Sequence, residues 1–191
     1  MRYEPEHKKR TRDRIVRNAA RKLRAEGLGG PGVASVMKAS GLTVGGFYKH
    51  FRGKDELLAE AVALGFAEIG ETAHAVLKNV PREDWWKEVV RWYLSSEHCD
   101  HPATGCPVAA LASEIGRAKV GFKERISGQV KRLTEQWAEL MPGANATERE
   151  RNFFAIYSAM VGALSVARLF TDPADREKVL ASARDHLLRS F

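Results

Sequence analysis

Cysteine is scarce: Cys99 and Cys106 are the only two in 191 residues. That excludes a disulfide scaffold and suits a compartment where thiols stay reduced. Long apolar runs are also missing. The longest uncharged stretch, Phe153 to Ala167, falls short of the roughly 20 apolar residues a membrane-spanning helix needs. Met1 to His7 has no apolar core, so no secretory signal is expected. The chain shows no period-two alternation, internal repeat or low-complexity tract. Nor does it hold a nucleotide-binding glycine loop, a nucleophile elbow or paired carboxylates, so an enzyme is not expected. The expectation is a cytoplasmic protein that does not engage a membrane and needs no cofactor or metal.

What is present is unevenly distributed. The composition, 44% hydrophobic and 29% charged, is that of a globular chain. Residues 1–57 carry 14 Lys and Arg against 6 Asp and Glu, a net +8, whereas residues 58–191 carry a net −1. All the excess positive charge therefore sits in the first third. A segment this basic attracts a polyanion, either nucleic acid or an anionic surface. The apolar stripe of its first helix, Ile15, Ala19 and Leu23, is too thin for a membrane-surface anchor.

Apolar spacings of three and four predict helix almost throughout, and the fold class is all-α. A basic helix runs from about Lys8 to Glu26, with Gly27 past its end. After Gly29-Gly30-Pro31-Gly32 a short helix carries Val33, Val36 and Met37, and Gly41 closes a tight turn. A second short helix, Thr43 to His50, is predicted with Thr43 as its cap and Phe47, Tyr48 and Phe51 as its apolar contacts. A long helix starts near Lys54. Further helices are expected after Pro81, from Phe122 to Leu140, from Thr147 to Thr171 and from Pro173, with Glu97 to Pro107 as the longest loop.

Two short helices joined by a glycine turn and preceded by a third form a helix-turn-helix, whose second helix enters the DNA major groove. Thr43, Val44, Gly45 and Gly46 would then face base edges, and Tyr48, Lys49 and His50 would flank phosphates. Lys54 adds an ammonium to the positive start of the long helix. The run Gly41-Leu42-Thr43-Val44-Gly45-Gly46-Phe47-Tyr48-Lys49-His50-Phe51, continued by Lys54-Asp55-Glu56-Leu57 and preceded by Thr11-Arg12, resembles the tetracycline-repressor (TetR/AcrR-like) family of bacterial regulators. The resemblance covers about residues 8–60. It implies phosphate contacts for Tyr48, His50 and Lys54 and base contacts near Val44, Gly45 and Lys49, with Arg12 added from the basic arm. It also implies a homodimeric all-α transcription factor, in most members a repressor, that binds a double-stranded DNA operator and a small-molecule effector. Pro31 stands where the family has Thr, so Gly30 or Pro31 must cap the first short helix. Val33 and Ala34 replace polar groups, and Gly46 replaces Thr, Ser or Ala.

Residues 1–57 are thus read as the DNA-binding domain and 58–191 as the effector-binding and dimerisation domain. The aromatics of the second part could be core, or could line an apolar cavity as small-molecule sites do. The cavity candidates are the aromatics Phe66, Trp85, Trp86, Trp92, Tyr93, Phe122 and Trp137, with Phe66, Trp92, Tyr93, Phe122 and Trp137 as the ligand contacts and His74 and Glu114 as polar groups. The helix from Thr147 is apolar or small on every face. Either it is an internal core helix, or Ala155, Ala159, Gly162 and Ala163, with Leu187 of the last helix, meet a second subunit. The loop His98-Cys99-Asp100-His101 to Cys106 leaves three options open: a plain polar loop, a thiol sensor using Cys106 and Cys99, or a metal site that would make the chain a helical-bundle metalloenzyme.

Overall fold

A computed structural model describes residues 5–191, so Met1 to Glu4 lie outside it. Helix α1 (Pro5–Glu26) forms as its apolar stripe predicts: Ile15, Val16, Ala19, Ala20 and Leu23 are all buried. It stops at Gly27, whose φ of +82° places it in the left-handed region that favours glycine. Helix α2 (Val33–Ala39) buries Val36 and Met37. It is entered from Gly32 in an extended conformation, with no side-chain cap, rather than from Gly30 or Pro31. Gly41, with φ +67°, makes the turn that follows.

The second short helix differs from expectation. Val44–Lys49 is a 3₁₀ helix, and Thr43 precedes it without capping it through its side chain. Phe47 and Phe51 are buried and stacked 5.4 Å apart, but Tyr48 points outward and is 77% exposed. Two aromatic anchors in so short a segment decide the outcome: they pin the turn to the core and leave the intervening side chains outside.

Helix α3 (Lys54–Val76) runs from this head into the rest of the chain. The helices that follow are α4 (Trp85–Tyr93), α5 (Ser96–Asp100), α6 (Pro107–Gly116), α7 (Val120–Trp137), α8 (Ala146–Ala167) and α9 (Pro173–Ser190). Pro81 opens only a 3₁₀ turn ahead of α4. The predicted loop from Glu97 to Pro107 is instead helix α5 and a 3₁₀ turn at Pro102–Thr104, because His98 and Cys99 bury themselves and pull the backbone in. Helix α8 ends at Ala167, four positions before Thr171, and the Asp172 side chain caps α9 as predicted.

Two apolar cores result. One joins α1, α2, the 3₁₀ helix and the first half of α3, and takes in Phe66, Leu111 and Ile126. The other is built from the second half of α3 with α4, α7, α8 and α9. Burying each large side chain contributes about 1.5–3 kcal/mol, so both cores hold their helices firmly.

Candidate nucleic-acid interface and apolar cavity

Thr43, Val44, Gly45, Tyr48 and Lys49 are all exposed on the 3₁₀ helix, and exposed Lys54 begins α3 just beyond. Gly46 and His50 are half-buried. Of the predicted DNA-binding set, these eight residues therefore share one end of the molecule. The first-turn amides of α3 and the Lys54 ammonium offer positive charge there. His50 keeps its imidazole pKa below the ordinary value, because burial penalises the cation and Lys8, Arg12 and Lys49 repel it.

Arg12 does not belong with them. Its guanidinium pairs with Glu60 and with Glu56, the latter at 3.2 Å, donates to the His50 carbonyl and lies 4.6 Å over the Phe51 ring. These groups take four of its five N–H donors, so Arg12 clamps α1 to α3 with its charge already paired by two glutamates. The glutamates at one-turn spacing on α3 were the signal for this role.

The second core holds a partly open apolar cavity of about 60 Å³. Trp92, Tyr93 and Trp137 line it, as expected. Phe66 and Phe122 do not: both pack into the core beneath the reading head. His74 is exposed and stacks on Trp137 from outside, 5.1 Å between centroids. Glu114 is far from the cavity chemistry as well, accepting the Leu28 N–H with both oxygens at 3.1 Å. Trp86 of the expected aromatic set lines it too and Trp85 does not, while Cys106, Phe153, Tyr157 and Met160 are lining residues that sequence reasoning missed. Phe153, Tyr157 and Met160 follow a three-to-four spacing on α8, a signal of the inward face of that helix.

The segment with five potential ligands is otherwise engaged. His98 is buried; its Nδ1 lies 2.8 Å from the Tyr93 carbonyl and its Nε2 accepts the Cys106 N–H at 3.0 Å. Nδ1 therefore carries the hydrogen, and burial drives the imidazole pKa down to about 4. The ring lies flat against Trp92, 5.4 Å away and 4° from parallel. Asp100 pairs with Arg176, and His101 Nδ1 contacts the Glu97 carbonyl. No group of three or more metal-binding side chains forms among the described residues. Cys99 and Cys106 are buried free thiols, and burial raises the Cys99 pKa.

This same segment joins cavity to head. Arg24 of α1 is buried, pairs with Glu68 of α3, and donates to the Gly105 carbonyl at 3.3 Å. Gly105 lies against His98, and the next residue, Cys106, is in the cavity wall.

On α8, Ala155, Ala159 and Gly162 are exposed and Ala163 is half-buried, beside exposed Phe154, Val166, Leu169 and Phe170. Leu187 is not on that surface. It is 3% exposed, within this chain's own core, because α9 turns it toward α8 and α4.

Residues 15–61 match the family model described as bacterial regulatory proteins, tetR family. That amino-terminal domain is of the tetR-family type, and the chain as a whole has the fold of TetR-family regulators. Its backbone superposes along almost its whole length on TetR-family regulators of known structure. One from Cytophaga hutchinsonii is 16% identical with a TM-score of 0.80, covering 98% of both chains. One from Chloroflexus aurantiacus is 22% identical with a TM-score of 0.78, covering 96% of this chain and 97% of the other. The fatty acid degradation regulator FadR of Bacillus halodurans is 15% identical with a TM-score of 0.71, covering 100% of this chain and 98% of that one. No curated protein sequence matches the chain. Among the described residues no helix is long and apolar enough to cross a membrane.

Proposed function

We propose that this TetR-family regulator is a cytoplasmic repressor that binds a pseudo-palindromic operator as a homodimer and lets go when a small apolar or aromatic effector enters the cavity. Residues 1–57 supply the reading head and residues 58–191 the effector and dimer functions. The observation that carries this is the Arg24–Gly105 hydrogen bond, which ties the helix bearing the head to the segment walling the cavity. The exposed face of α8, with Phe154, Val166 and Leu169 around Ala155, Ala159 and Gly162, supports the dimer, since an apolar patch of that kind needs cover. A two-fold axis there sets two heads at a fixed separation.

The size of the cavity supports the switch. An apolar void of about 150 Å³ accommodates benzene. This one is about 60 Å³, so an aromatic effector must spread α3, α4, α7 and α8 to enter. It thereby binds the spread conformation in preference to the closed one, as any ligand that shifts an equilibrium must. Spreading shifts Cys106 and Gly105, and with them Arg24 and the head.

Selection from a random DNA pool, with sedimentation of the same preparation, tests the reading. It should return a two-fold symmetric site bound by two chains. A monomer at micromolar concentration, or an asymmetric site, would refute it. One observation favours a second reading, a thiol sensor: Cys106 is part of the cavity wall. Loss of the response in Cys106→Ser, with retained affinity for apolar compounds, would select it.

A further inference from the structure

Tyr93 has a fully enclosed hydroxyl with no hydrogen-bond partner. Its ring lines the cavity next to Cys106 and Tyr157. Cys106 Sγ lies 3.5 Å from the Tyr157 hydroxyl and also sits beside the Tyr93 hydroxyl, but forms a well-shaped bond only with Tyr157. Tyr93 is left over. A buried hydroxyl without an acceptor is costly, and natural chains rarely keep one without reason. Phenylalanine would have filled the same wall.

The surrounding chemistry narrows what could complete it. No Asp, Glu, Lys, Arg or His lines the cavity. A charged ligand would shed its hydration there and meet no charged side chain in the wall, since the nearby Arg168 guanidinium is spent on the His98 and Cys99 carbonyls. Burial raises both tyrosine pKa values well above their usual value, so each phenol stays protonated and can donate. The rings of Trp86, Trp137 and Phe153 favour a flat body.

We infer that the cavity selects an uncharged ligand with a flat, apolar body and one hydrogen-bond acceptor, such as an aryl ketone, aldehyde or ester, whose oxygen takes the hydrogen of the Tyr93 hydroxyl. This rests on the reading of the cavity as the effector site. Tyr93 then reads ligand identity, and the aromatic walls supply affinity.

The test is tryptophan-fluorescence titration of the full chain with acetophenone, its near-isostere cumene, and benzoate. Tyr93→Phe should weaken acetophenone about tenfold, the loss of one buried hydrogen bond, and leave cumene within about twofold. Benzoate should bind far more weakly than acetophenone. Without any ligand, Tyr93→Phe should melt at or above the wild-type temperature, because it removes an unpaired hydroxyl and no contact. Three results would overturn the inference and spare the effector site: equal effects of Tyr93→Phe on both neutral probes, benzoate binding as tightly as acetophenone, or ligand-free destabilisation by several degrees. Failure of both neutral probes to bind wild-type protein would overturn the effector-site reading itself, and the inference with it.

Discussion

Gly105→Ala tests the joint between cavity and head most directly. A Cβ at residue 105 would lie 2.7 Å from His98 Nε2, 2.9 Å from Cδ2 and 3.2 Å from an Arg168 guanidinium nitrogen. The backbone there, φ −83° and ψ −167°, is extended and open to any residue, so the cost is steric rather than conformational. The imidazole cannot step aside freely, being held by the Tyr93 carbonyl, the Cys106 N–H and the face of Trp92. Moving it leaves a buried N–H unpaired, at about 1–3 kcal/mol, and strains the second bond by about 1 kcal/mol more. Lower chain entropy in the unfolded alanine variant returns about 0.5 kcal/mol. The net expectation is a loss of about 1.5–3.5 kcal/mol, or roughly 3–14 °C in Tm for a chain of this length. Scanning calorimetry at fixed protein concentration measures it, with Gly32→Ala as control because a Cβ there meets nothing within 4 Å. The variant should also lose part of its ligand response, since the Gly105 carbonyl is what Arg24 holds. A Gly105→Ala protein within about 0.5 kcal/mol of wild type would refute the view that His98 is pinned.

Lys54→Ala should weaken binding to all DNA sequences alike and lower the salt slope by about one unit, measured by anisotropy titration at several salt concentrations. Arg12→Ala should instead lower thermal stability and leave that slope near wild type, because its partners are Glu56 and Glu60. Ala159→Trp should drive the dimer toward monomer or aggregate in sedimentation, as overpacking costs about 1–3 kcal/mol per subunit. His98 makes stability depend on acid: its folded pKa, near 4, lies below the unfolded value of about 6.5, so its contribution is intact above pH 6.5 and lost as pH falls toward 4. That loss approaches about 3 kcal/mol, and His98→Gln should flatten the pH–stability curve between those limits in urea melts.

Most of the helices were legible because their stripes are regular: Ile15, Ala19 and Leu23 in α1, and Ile126, Val130 and Leu133 in α7, announce their faces by spacing alone. The exposed turn proposed to read DNA was legible as one segment, because its residues lie within twelve positions of one another. What stayed hidden depends on contacts between distant positions. Nothing local to Arg12 says that Glu56 and Glu60 will take its guanidinium rather than a phosphate. Phe66 and Trp137 are equally aromatic, and only the packing of α3 against α7 puts one in the head's core and the other on the cavity. His98 looked like a loop ligand because its two partners, the Tyr93 carbonyl and the Cys106 N–H, are backbone groups that a sequence does not display. Leu187 was assigned to the wrong side of α9 for the same kind of reason: a helix with one apolar stripe does not state which neighbour it serves.

The glycines of the reading turn have a consequence for how this regulator can be retargeted. Neither Gly45 nor Gly46 has a positive φ, so the backbone does not demand glycine at either position. A Cβ at Gly45 meets nothing within 4 Å, and one at Gly46 touches only the Met37 methyl at an ordinary 3.6 Å. Larger residues can therefore be installed at Gly45 without repacking anything beneath. Each such replacement also trims the freedom of the unfolded chain, which favours folding by about 0.4–1 kcal/mol. On the proposed reading, in which this turn faces the DNA groove, side chains for base contact can be varied at Gly45 without cost to the fold beneath.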